Sequence, residues 1–180
     1  MKKTFKKGFT MIELLIVIAV LGVLATAVLS AINPIEQINR GRDTGSRSDA
    51  EQVLSAVERF YTAQQYFPWM TGTADLTFVM PWTTLTTARG EAADEIVDTL
   101  STGTGTEELK LSFATRLKTA KYELFIYHAE GSQNSTYVCF LPKSGSFKKE
   151  ADDRCDGTVP TDYPASACVA SNVLDYICLP

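Results

Sequence analysis

Residues 9–32 hold 19 hydrophobic residues out of 24 and a single charge, Glu13. No other segment constrains the chain as strongly. The 19 residues 14–32 carry no charge, and as an α-helix they rise about 28 Å at 1.5 Å per residue, close to the ~30 Å hydrocarbon core of a bilayer. Leu, Ile and Val run all the way round such a helix, so it is not an amphipathic element with one polar face. Lys2, Lys3, Lys6 and Lys7 precede it with no acid among residues 1–8. That asymmetry predicts an amino end kept in the cytoplasm and a body exported across the membrane. The averages over 180 residues, 45% hydrophobic and a net charge of −4, conceal this division. They still argue against disorder, a collagen-like repeat, a multi-span membrane protein and a strongly basic nucleic-acid binder.

A secretory signal peptide has the same outline, and Ala25-Thr26-Ala27 has the small-x-small form of a signal-peptidase site. An uncleaved signal anchor is a second possibility. Neither explains Glu13: an acid costs about 2.5–3.5 kcal/mol at the centre of a membrane helix and marks a functional site by default. At the cytoplasmic edge, where Glu13 sits, snorkelling lowers the cost, so the surrounding residues decide.

The run Lys6-Lys7-Gly8-Phe9-Thr10-Met11-Ile12-Glu13-Leu14-Leu15-Ile16-Val17-Ile18 resembles the processing signal of type IV pilins and of type II secretion pseudopilins. The resemblance implies cleavage between Gly8 and Phe9 by a prepilin peptidase on the cytoplasmic side, leaving the apolar segment attached. It also implies N-methylation of the Phe9 amine. Gly8 lacks Cβ and lets the backbone enter a narrow protease cleft. The new Phe9 amine is cationic near neutral pH, with a reference pKa of about 7.7–8.0. Glu13, one helical turn on, is then the partner for the Phe9 amine of an adjacent subunit in a low-dielectric bundle. Pairing offsets the cost of burying two charges and sets the register between neighbours. A head-to-tail contact whose rotation does not close builds an open helical filament. The partners implied are further copies of the chain, the peptidase, an assembly platform for a pilus or secretion system, and the membrane through residues 14–32. The expected location is the cytoplasmic membrane as a single-pass precursor, then an extracytoplasmic or cell-surface filament. Loss of the four leader lysines leaves 13 basic against 21 acidic residues.

The expected fold is α+β. A long amino-terminal helix, membrane-spanning in its first half and amphipathic in its second, packs on a small antiparallel sheet, with a disulfide-bonded carboxyl-terminal loop region. Four parts follow: a cleaved basic leader at 1–8, a transmembrane and polymerisation helix at 9–32, a kinked or flexible joint at 33–48, and a globular head at 49–180. Asn33-Pro34 interrupts the helix, and Gly41 and Gly45 weaken the following turns by about 1 kcal/mol each. Helix resumes from Asp49, with Ser46 or Ser48 as its cap. Val53, Leu54, Val57, Phe60 and Tyr61 form its apolar stripe. The aromatic, proline-punctuated stretch Tyr66-Phe67-Pro68-Trp69 stops it. Beyond lie a short strand at 76–80, a surface helix at 90–100, a loop at 101–106 and an ambiguous segment at 107–117. Two clear strands at 121–128 and 136–141, joined by a polar hairpin loop, should centre the sheet.

Cys139, Cys155, Cys168 and Cys178 are separated by 15, 12 and 9 residues, which matches no zinc pattern. Export predicts two disulfides. Three connectivities are open, and closure of short loops favours Cys139–Cys155 with Cys168–Cys178. Pilin resemblance supports a disulfide-bound carboxyl-terminal region, usually with one bridge. Asp152, Asp153, Asp156 and Asp162 form an acidic run that invites calcium, but the spacing is not that of an EF-hand and solvated surface acids are the commoner outcome. Asn134-Ser135-Thr136 fits the glycosylation sequon, a short pattern common by chance. No enzyme is expected: His128 is the only histidine, and no nucleophile–base pair or phosphate loop assembles around it. No cofactor is expected, and no nucleic acid for the head. The leading function is a pilin-like filament subunit. The alternatives are a pseudopilin of type II secretion, a membrane-anchored binding module that does not polymerise, and a secreted domain that loses its first 27 residues.

Overall fold

The structure, a computed structural model, describes residues 8–85, 96–102, 107–119, 123–168 and 175–180. Residues 1–7, positions 90–95 of the expected surface helix, 103–106 of the expected loop and 121–122 of the first clear strand lie outside the described residues. Two compact units are present, Met1–Gln37 and Ile38–Pro180.

The first unit contains helix α1, Met11–Ala31. It ends at Ile32, whose extended backbone (φ −101°, ψ 129°) interrupts the hydrogen-bond ladder. Proline excludes helical geometry from the residue before it and suits the first helical position itself. Accordingly helix α2 begins at Pro34 and runs to Gln64, with the Asn33 side chain accepting from the Glu36 N–H at 3.3 Å. The joint expected over 33–48 is therefore narrower than its two glycines suggest. The break is confined to Ile32 and Asn33, and Gly41 and Gly45 lie within α2, as do the expected capping serines.

The second unit packs α2 on a four-stranded antiparallel sheet in the order β1-β2-β3-β4. The strands are β1 (Met80–Thr84), β2 (Leu124–His128), β3 (Thr136–Phe140) and β4 (Ile177–Leu179). Ala50, Val53, Ala56 and Val57 of α2 are wholly buried, in one cluster with Ile126, Val138, Phe140 and Ile177 from the sheet. The strand expected at 76–80 instead starts where that one was to end. Asp75 holds the preceding turn, its carboxylate accepting from the Thr71 and Thr77 N–H groups at 2.9 Å each. Register between β1 and β2 shifts between Met80 and Thr83, a bulge occupied by Pro81, which has no N–H to give the ladder.

Helix α3 (Ile96–Thr102) buries Ile96, Val97 and Leu100 completely, so its apolar side is core rather than surface edge. The ambiguous 107–117 segment resolves as helix α4, Leu111–Thr119. The period-3.6 arrangement buries Ala114 and Leu117 and packs Phe113 against the core, and Arg116 pairs bidentately with Asp49 of α2 at 2.7 and 2.8 Å. Helix α5 (Gly145–Cys155) follows β3.

The tie between α2 and α5 is a buried carboxylate. Asp43, 2% exposed, accepts from the N–H of Lys143 at 3.0 Å, the N–H of Ser144 at 2.7 Å and the Ser144 hydroxyl at 2.6 Å. Ser144 precedes α5, so the anion also meets the positive end of that helix. Arg47 adds an ion pair to Glu150 and lies 4.8 Å over the Phe147 ring.

The disulfide pairing expected from short loops, Cys139–Cys155 with Cys168–Cys178, is not the one adopted. The bridges are Cys139–Cys178 and Cys155–Cys168. Cys139 on β3 stands directly opposite Cys178 on β4, with 4.0 Å between their Cα atoms, so sheet register overrides loop length. Cys155 ends α5 and meets Cys168 after a short 3₁₀ turn at Ala165–Ala167. The second loop is nested inside the first. On a chain-entropy account such closures restrict the unfolded state by about 4 and about 3 kcal/mol respectively.

Asp43→Ala should destabilise the head by about 2–4 kcal/mol, because two backbone donors lose their acceptor in a buried site. Urea denaturation of the purified protein measures this as a lowered midpoint. A non-reduced proteolytic digest should yield peptides joined as 139–178 and 155–168, and recovery of a 139–155 link would contradict the register argument.

Candidate functional site

Gly8, Phe9 and Thr10 form a short non-helical stretch ahead of α1, all of it exposed. A Cβ built on Gly8 meets nothing within 4 Å. Packing against the described residues therefore does not require glycine at this position. Proteases take their substrates as extended, accessible backbone, and this stretch offers both. The rival processing site does not: Ala25, Thr26 and Ala27 lie inside unbroken α1, with the Thr26 hydroxyl bonded to the Val23 carbonyl at 2.8 Å.

Helix α1 starts with a reciprocal cap. Thr10, in extended geometry (φ −79°, ψ 151°), accepts from the Glu13 N–H through its hydroxyl at 3.3 Å. The Glu13 carboxylate in turn takes the Thr10 N–H at 2.8 Å and the Thr10 O–H at 2.7 Å. Threonine followed three residues later by glutamate is the capping-box pattern, and it satisfies donors that would otherwise be orphaned at the helix start. The acid also sits at the positive end of the helix dipole. Thr10 is thus part of the site together with Glu13, and its signal in the sequence is the T-x-x-E spacing. All of the Glu13 bonds here stay within one subunit, and Phe9 is 89% exposed.

Past Glu13 the helix is unrelieved. The span Met11–Ser30 is long and apolar enough to cross a membrane, and none of it is buried. Its two hydroxyls are internally satisfied, Thr26 by Val23 and Ser30 by the Ala27 carbonyl at 2.8 Å, which suits surroundings that offer no water.

Elsewhere the acidic run does not converge. Asp153 pairs with Lys149 at 2.9 Å, while Asp162 accepts from the Ser135 N–H at 2.8 Å and the Tyr137 hydroxyl at 3.1 Å. The Ser135 hydrogen bond, with help from Tyr137, holds the Asp162 carboxyl below the usual carboxylate range. Among the described residues no group of three or more His, Cys, Asp or Glu is placed to hold a metal ion. Of the four acids Asp152, Asp153, Asp156 and Asp162, two are thus engaged by local partners. A groove of about 480 Å³ between α2 and the start of α4 is polar, lined by Ser48, Gln52, Ser55, Arg59 and Glu108 among others. Within it Arg59 bonds to Glu108 at 2.7 Å.

Together these features describe an exposed, non-helical stretch ahead of an apolar helix long enough to cross a membrane, which fits a membrane-anchored precursor. Residues 3–29 match the family described as the prokaryotic N-terminal methylation motif. The chain thus carries the prepilin signal of type IV pilins and pseudopilins, a motif of structural subunits rather than of enzymes. No curated protein and no solved structure matches the chain.

Thr10→Ala should cost about 1 kcal/mol of helix stability at the first turn. Amide exchange of Met11 to Leu14 in the detergent-solubilised protein should accelerate several-fold, with the rest of α1 unchanged.

Proposed function

We propose that the chain is a structural subunit of a type IV pilus or pilus-like filament, with the pseudopilus of type II secretion as the nearest variant. The observation that carries the reading is the methylation motif at residues 3–29, joined to a Gly8–Phe9 bond in exposed, non-helical backbone. Prepilin peptidase cuts that bond, methylates the Phe9 amine, and leaves α1 as the anchor. Assembly moves the helix from lipid into a bundle of its copies. Each large apolar side chain covered there contributes about 1.5–3 kcal/mol before ordering costs.

Glu13 sets the register. In the separate subunit its carboxylate is held by Thr10; in the bundle it faces the Phe9 amine of a neighbour. The capping bonds keep the acid at the start of the helix and reduce the ordering left for assembly. Because the apolar helix satisfies its own backbone and hydroxyls, Glu13 and the amine are the charged groups whose burial needs a partner, and each suits the other.

Mass spectrometry of the mature protein should find Phe9, methylated, at the amino terminus. An intact Met1, or a terminus at Val28, would overturn the reading. Gly8→Leu should block cleavage, seen as a precursor band that persists. Glu13→Ala should be processed yet lower the yield of sheared filaments at least tenfold, and a normal yield would remove the proposed Phe9–Glu13 pairing while leaving processing intact.

A further inference from the structure

His128, the chain's single histidine, is wholly buried at the end of β2. Its ring centroid lies 4.6 Å from that of Phe67 and 5.5 Å from that of Trp69, both in the turn that follows α2. Nε2 is 3.2 Å from the Gly131 carbonyl and Nδ1 is 3.0 Å from the Thr136 hydroxyl. A carbonyl only accepts, so Nε2 carries the hydrogen and Nδ1 accepts from Thr136 in the neutral ring. One imidazole thus joins the 65–70 turn to the tip of the β2–β3 hairpin.

Both nitrogens are already used, so a second ring proton would displace the hydrogen that Thr136 donates. It would also place a cation against the stacked Phe67 and Trp69 rings, away from water. The neighbouring elements offer little to compensate. The 65–70 turn and β1 bring no charged side chain, the hairpin loop brings Glu130, and the loop after α5 brings Asp162. The Asp162 carboxylate already accepts from Ser135 and Tyr137.

We infer that His128 is an acid-sensitive latch, whose protonation releases the 65–70 turn and the hairpin tip at 129–135 from one another. Burial lowers its pKa, against smaller opposing effects from the Gly131 and Ser135 backbone and the Asp162 charge. In the opened form the ring is hydrated and titrates near 6.5. Opening therefore takes up a proton, and the closed form is fully favoured above that pH and loses ground as pH falls toward the ring's own, lower pKa. The change stays local. The Cys139–Cys178 bridge and the Asp43 bonds to Lys143 and Ser144 hold β4 and α5 in place at other points of the head. Nothing in this inference depends on filament assembly.

Hydrogen exchange of the full-length protein in detergent, corrected for intrinsic chemistry, tests it. Across the window below about pH 6.5, the opening constant of amides in 65–70 and 129–135 should rise about tenfold per pH unit. Amides of α2 around Val53 and Val57 should keep their protection. His128→Gln should abolish the pH dependence at both segments. Should that variant fail to fold, the lone histidine resonance of the native protein serves instead, and it should titrate below 6.5. Unchanged protection across the window, loss shared equally by the α2 core, or a histidine titrating at or above 6.5 would each overturn the latch.

Discussion

A helix with no polar face and no buried face is the constraint on which the rest of this molecule depends. Residues 11–30 cannot rest in water, so lipid or protein from outside the chain must cover them. Every specialised feature at the amino end is compatible with that demand. Hydroxyls bond back to their own helix, the lone acid is drawn into the first-turn cap, and the interruption at Ile32–Asn33 falls where the apolar run stops. The second unit has a core of its own, built from α2, α3, α4 and the sheet.

That core is closed by polar interactions placed at element ends. Asp43 receives the backbone at the start of α5, Arg116 locks α4 to Asp49, and Lys118 reaches Asp98 of α3 at 2.6 Å. The ion pairs with half-exposed arginines contribute little individually. Asp43 differs because its acceptor oxygens are buried and serve the backbone N–H groups of Lys143 and Ser144 at the entry to α5. An apolar residue of similar size would leave the entry to α5 unsatisfied.

Much of the plan was legible from residue order, because its causes are local. The apolar rod, the α2 stripe at 53, 54, 57 and 60, and the paired strands β2 and β3 follow from periodicity and β-branched content. The junction at Gly8–Phe9 and the acid at Glu13 were visible as a motif with fixed spacing. What remained hidden depends on distant pairing. Strand β4 has three residues, Ile177, Cys178 and Leu179, too few for an alternation to register, and the Cys139–Cys178 pairing depends on that strand. Asp43 looks like any surface acid between Arg42 and Thr44, and only its contact with residue 144 sets it apart. Helix α5 is half charged and lacks a strong apolar stripe, with Ala151 as its one buried residue. Glycines 41 and 45 pointed to a loose joint, but the helix tolerates them where they are exposed and Asp43 anchors the turn between them.

The sheet's borders have a further consequence for crowding. Strand β1 carries Pro81 in a bulge, and β4 is three residues long and followed by Pro180. Both borders therefore present broken rows of backbone donors. Wherever many heads are held side by side at high local concentration, strand addition from head to head is the cheapest wrong association open to them. These prolines deny it a continuous template.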